Sequence, residues 1–130
     1  MRKKPRINFE KLTIKVVKKL REDYVGDWYP RKNKIYVHRG LKGIDRTAVV
    51  VHEFVEMVAT KVMGIPDCLS PRYQQGRHGD KNELAHALGN KVERIIIELA
   101  GYSWVSHQKR CRRLRNKIVR EKIKKEKLDG

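Results

Sequence analysis

Residues 52–56 read His52-Glu53-Phe54-Val55-Glu56, in the middle of a run from Ala48 to Ala59 that is otherwise apolar. An imidazole and a carboxylate four positions apart on a helix lie on one face, about one turn from each other. Side chains of those two types at that separation can hold a single metal ion between them. Glu53 adds a third ionisable group to the same turn. Burial sharpens the point, because two carboxylates and an imidazole in an apolar helix are costly to desolvate unless they are paired or metal-bound.

A matching stripe follows. His86, Asn90 and Glu93 are spaced i, i+4, i+7 among Leu84, Ala85, Leu88, Val92, Ile95, Ile96, Ile97 and Leu99. If the two stripes face each other, His52, Glu56 and His86 form a two-imidazole, one-carboxylate set. Glu93 is then a fourth ligand or a partner that orients an imidazole, and Asn90 is a supporting polar group beside it. Such donors suit zinc or another divalent transition metal. A bound water would complete the coordination, with Glu53 placed to take its proton. The competing reading is structural: Glu56 or Glu93 buried in salt bridges with Arg94 or Lys91.

The elements that must position these groups can be read from periodicity and punctuation. Phe9, Leu12, Val16, Val17, Leu20 and Tyr24 recur at steps of three and four, which predicts an amphipathic helix over 8–24 with Asn8 as its N-cap. Trp28 and Ile35-Tyr36-Val37, separated by a turn from Pro30 to Lys34, predict a β-hairpin within 26–39. Asp45 is expected to cap the helix that carries His52, which runs to about Met63 and stops at Gly64. Asp80 with Glu83 resembles a capping box opening a helix over 81–100, closed by Gly101. A last helix starts near Ser103 or Ser106. The expected fold is α+β and predominantly helical. It has a basic N-terminal arm (1–7), a metal-binding domain (8–102) and a basic C-terminal helix (103–130).

The motifs resemble a known group. His-Glu-x-x-Glu on one helix, then Ala85-His86-x-x-Gly89-Asn90-x-x-Glu93 on the next, is similar to small archaeal and viral proteins regarded as minimal zincin-like, metal-dependent proteins. The order of helix, hairpin, motif helix and ligand-bearing helix is also that of minimal zincin domains. The resemblance covers residues 8–102. It implies that His52, Glu56 and His86 are metal ligands, that Glu53 is the catalytic base, and that the reaction is a metallopeptidase-like hydrolysis of a peptide. Glu56 stands where metallopeptidases carry their second motif histidine. A second enzyme class also bears comparison. Glu53-x-x-Glu56 followed by Glu83 resembles the carboxylate pairs of all-α nucleoside-triphosphate pyrophosphohydrolases, which bind magnesium through oxygen. That family has Asp where His86 stands here, and the strand-like segment 26–38 fits an all-α fold poorly.

Charge supplies a different reading. The chain has 130 residues with 32 Lys+Arg against 15 Asp+Glu, a net charge of +17, which favours nucleic acid or another polyanion as partner. Residues 109–127 alone carry eleven Lys/Arg against Glu121 and Glu126, and the first six residues carry four more. Arg110, Arg112, Arg113, Arg115, Lys117, Arg120, Lys122, Lys124 and Lys125 are the candidate phosphate contacts. Cys111, Leu114 and Ile118 form a stripe that can dock the start of this helix, with a projecting or frayed end beyond Arg120. The Lys-rich, Gln-poor composition resembles that of hyperthermophile proteins.

Two cysteines, Cys68 and Cys111, exclude a disulfide framework and an all-cysteine zinc site. No run of about 18 apolar residues occurs, and no apolar signal segment follows the basic start. The expectation is a soluble protein of the cytoplasm with no membrane partner. His38 reads as a half-exposed strand histidine, with a place facing the site from the hairpin edge as the alternative. His78 reads as a solvated loop histidine, with a ligand as the alternative, and His107 as an ordinary helix histidine. Tyr24, Trp28, Tyr29 and Tyr36 read as hairpin packing, with a stacking surface as the alternative.

Overall fold

A computed structural model describes residues 7–20, 24–29, 32–64 and 84–129. The fold is α+β and mostly helical. Among the described residues a three-stranded sheet is formed by β1 (Thr13–Val17), β2 (Gly26–Tyr29) and β3 (Lys34–His38). Three helices follow: α1 (Gly43–Lys61), α2 (Leu84–Leu99) and α3 (Trp104–Asp129). The strand order is β1-β3-β2. β2 pairs antiparallel with β3, Trp28 opposite Ile35 and Gly26 opposite Val37, so the hairpin is present. Asn33 turns it with a positive φ of 50°.

The N-terminal helix expected over 8–24 is not formed. Asn8 does cap, its side chain accepting from the Glu10 backbone N–H at 3.2 Å. What it caps is a single 3-10 turn, Phe9–Lys11, after which the chain becomes β1 and pairs in parallel with β3. The physical reason lies in Thr13, Ile14, Val16 and Val17. Branching at Cβ favours extended backbone, and pairing with β3 supplies hydrogen bonds that a marginal helix would have had to find within itself. Phe9 and Val16, both members of that periodic set, remain about half exposed, so the helical spacing marks no core face.

The sheet lies on α1. Ile35 and Val37 point inward from alternate positions of β3 and are fully buried, as a strand's two-residue period requires. One core cluster joins Ile7, Trp28, Ile35 and Met57, with Leu12, Val50, Phe54 and Val58 against it. A second joins Val37, Leu41 and Val49 to Cys111 and Leu114 of α3. The predicted docking stripe of the last helix therefore lands on the core. Because α1 is covered by the sheet on one side and faces α2 on the other, its sequence is apolar nearly all round.

Gly64 and Gly101 sit past α1 and α2 with φ of 73° and 85°, as their stop roles require. Asp45 is not the N-cap of α1. Lys42 occupies that position with no side-chain cap bond, and Asp45 lies in the first turn, bonded instead to α3. The expected capping box at Asp80 and Glu83 lies outside the described residues. α3 stays helical to Asp129, although residues 120–128 are exposed. No described helix is long and apolar enough to cross a membrane.

Candidate metal centre

α1 brings His52 and Glu56 to one face, and α2 brings His86 to meet them. His52 Nε2 lies 3.0 Å and His86 Nδ1 3.2 Å from the same oxygen, Glu56 Oε2. The three donor atoms fall within 4.8 Å of one another, and the 3.0 and 3.2 Å separations from Glu56 Oε2 are those of neighbours around an ion with bonds of about 2 Å. The other oxygen of Glu56 accepts from the Trp28 indole N–H at 3.2 Å. Glu56 is thus fixed from β2 as well as from α2. His52 and Glu56 are buried, whereas the His86 side chain is 45% exposed. The centre opens on the α2 side.

Two glycines make the approach of these elements possible. A Cβ at Gly89 would stand 3.1 Å from the His52 carbonyl oxygen and 3.2 Å from its ring. Without it, α2 lies directly against the imidazole. On the opposite side, a Cβ at Gly26 would come within 2.7 Å of Val49 and 3.0 Å of Glu53 Cγ. Neither glycine has a positive φ. Close approach, not backbone freedom, explains both.

Glu93 does not join the three donors. Its Oε1 stands 2.7 Å from His52 Nδ1, the ring nitrogen turned away from Glu56, though out of line for a well-formed hydrogen bond. That is the position of a carboxylate that orients a ligating imidazole. Its other oxygen meets His107 Nε2. His107 is wholly buried and places Nδ1 2.8 Å from Asp45, which also accepts two bonds from Arg110 at 2.5 and 2.9 Å. Imidazoles and carboxylates therefore alternate from His86 through Glu56, His52, Glu93 and His107 to Asp45, tying α1, α2 and α3 together. Glu93, His107 and Cys111 form a second group of close donors, but both His107 nitrogens already face carboxylates.

The electrostatics follow from this chain. Burial works against charge on His52, yet Glu56, Glu93 and Glu53 outweigh it and lift its pKa to about 10. Burial likewise opposes the ionised form of Glu56, but His52 and His86 bring it down to about 2. Glu53 has no such partner set. Burial first, then the neighbouring carboxylates, push it up to about 8 against the pull of His52. One carboxyl on this helix turn is held ionised and its neighbour is held protonated near neutrality. A cation among His52, Glu56 and His86 would take the place of the proton on His52 and favour ionisation of Glu53.

The sequence-derived donors His52, Glu56 and His86 are thus brought together, with Glu53 beside them, 3.9 Å from His52 Nε2. Asn90 lines the same cavity. Salt bridges from Glu56 or Glu93 to Arg94 or Lys91 do not form, since Arg94 pairs with Glu98. His38 stays at the strand end, its Nδ1 accepting from the Gly40 N–H. Cys68 and His78 lie outside the described residues, as does Glu83. Trp28, Gly89 and His107 escape sequence reasoning because their partners are distant in the chain. The i, i+4 spacing of His107 and Cys111 was the one available hint. No family model matches the chain, and neither does any curated protein or solved structure.

Proposed function

We propose that the protein binds zinc or a similar divalent transition metal through His52, Glu56 and His86, and that this centre is hydrolytic. The convergence of three donors from two helices on one point carries the reading. Two imidazoles and a carboxylate are a donor set that zinc accepts while keeping a position open. When bound, such an ion supplies Lewis acidity and lowers the pKa of water. Glu53 is the residue to exchange a proton at its carboxylate oxygen, since it lines the cavity and stands 3.9 Å from His52 Nε2, beyond hydrogen-bond reach. Trp28 and Glu93 hold Glu56 and His52 in place. The half-exposed His86 leaves a route from solvent. A peptide or other acyl substrate fits this chemistry.

Metal analysis of protein purified without a histidine tag tests the reading. About one equivalent is expected for a three-donor centre, falling to near zero in His86→Ala. Less than ~0.2 equivalents with no uptake on titration would overturn it, because a preformed set of this kind binds zinc tightly.

Binding of nucleic acid by α3 is a second reading. It is favoured by the exposed helical extension beyond Arg120, which carries Lys122, Lys124, Lys125 and Lys127 with Glu121 and Glu126. Arg113 and Lys117 are exposed earlier on the same helix. Arg110 is committed to Asp45, so the phosphate contacts fall to the cations that follow it.

A further inference from the structure

The metal donors form one wall of a cavity of about 300 Å³, and α3 forms another. From α3 come Trp104, Gln108, Cys111, Arg112 and Arg115, whose spacing is that of one helix face. Arg112 and Arg115 are exposed, one turn apart, and neither forms an ion pair with any described residue. Of the four described carboxyls that line the cavity, Glu53 stands 3.9 Å from His52 Nε2 and the other three are engaged elsewhere. Glu56 faces His52 and His86, Glu93 faces His52 and His107, and Asp27 Oδ1 accepts from the Trp28 N–H. Among the described residues, two guanidinium groups therefore border the cavity without an ion-pair partner.

We propose that Arg112 and Arg115 form an oxyanion-binding subsite of this cavity, and that its substrate is a small molecule bearing a carboxylate or phosphate group. Guanidinium presents a planar fork of donors that matches both oxyanions. Two forks one helical turn apart can engage one such group from two directions. The volume is at the low end for small-molecule sites. It admits one or two residues of a peptide or a compact phosphoester and excludes a nucleic-acid duplex. Only the placement of the reacting end beside Glu53 and His86 rests on the metal reading. The anion subsite itself needs α3 alone.

Calorimetric titration with orthophosphate and with succinate tests this, using metal-loaded and metal-stripped protein at fixed ionic strength. At least one of the two anions is expected to bind, and the tighter of them identifies the substrate group. Arg112→Ala/Arg115→Ala should weaken that binding by ~10-fold or more, the loss of at least one charge-assisted bond, with metal content unchanged. Arg113→Ala/Lys117→Ala, which removes the same charge outside the cavity lining, should change it by less than ~2-fold if only general attraction is lost. Equal weakening in the two double variants would overturn the proposal, as would failure of both anions to bind. Binding that disappears on metal removal but ignores Arg112 and Arg115 would also overturn it. Arginine-dependent binding that survives metal removal would uphold the subsite even if the metal reading failed.

Discussion

Glu56 takes the Trp28 indole on one oxygen and faces both histidines with the other, while its neighbour Glu53 lacks any comparable partner. The two carboxyls should therefore respond differently to substitution. Glu56→Ala should abolish metal uptake, and Glu53→Gln should leave uptake intact while removing hydrolysis. The reverse pattern, uptake lost in Glu53→Gln and kept in Glu56→Ala, would show the roles to be exchanged. Glu93→Gln should weaken metal binding by about 10–100-fold, the usual effect of losing a carboxylate behind a ligating histidine, as read by competition with a chromogenic chelator. At this scale the sequence was informative wherever partners share a helix. His52 and Glu56 are four apart, and the His86, Asn90, Glu93 stripe is equally local. Trp28 reads as hairpin packing and His107 as an ordinary helix histidine because the groups they serve, Glu56 and Asp45, lie 28 and 62 residues away.

Helices and strands set these groups at working distance by close approach. Gly89→Ala should push α2 off the His52 ring, costing about 1–3 kcal/mol of stability as over-packing does and weakening metal binding with it. Unchanged melting temperature and unchanged affinity would mean that α2 does not touch His52. Docking of α3 is ionic as well as apolar, and its pH dependence follows. Burial opposes the charge of Asp45, but Arg110 and His107 hold its carboxyl below the ordinary range. Its contribution is present above the unfolded value of about 4 and is lost as pH falls through the lower folded value. His107 behaves oppositely. Burial lowers it, yet bonds from Cys111, Glu93 and Asp45 raise it to about 10. Its contribution is complete below the unfolded value of about 6.5 and disappears as pH rises through the folded one. The melting temperature of the protein should therefore fall on both sides of a plateau, and His107→Gln should show a shallower decline between pH ~6.5 and ~10. Identical alkaline slopes would contradict the docking account. The hairpin and three helices could be read from punctuation and periodicity. β1 could not, because its decisive interaction is pairing with a strand that follows it by some twenty residues.

For the whole molecule, the cations divide by position. Arg110 anchors α3, Arg112 and Arg115 border the cavity, and the basic residues beyond Arg120 extend from the body on an exposed helix. Deleting residues 120–130 should leave metal content and melting temperature unchanged, since little is buried there. It should weaken binding to DNA or RNA and flatten its salt dependence, because fewer counterions are released. Salt dependence equal to that of the full chain would remove α3 from any such contact. Total charge is visible in composition, but its division into structural, cavity and C-terminal cations depends on how α3 packs on the body. On the metal reading, the packing of α1 against α2 builds a nitrogen- and oxygen-lined centre. X-ray absorption at the zinc edge of the loaded protein tests it most directly. A first shell of nitrogen and oxygen at about 2.0–2.1 Å is expected, with the outer-shell signature of two imidazoles, both lost in His86→Ala. A sulfur shell near 2.3 Å, placing the metal on a cysteine instead of on His52, Glu56 and His86, would contradict it.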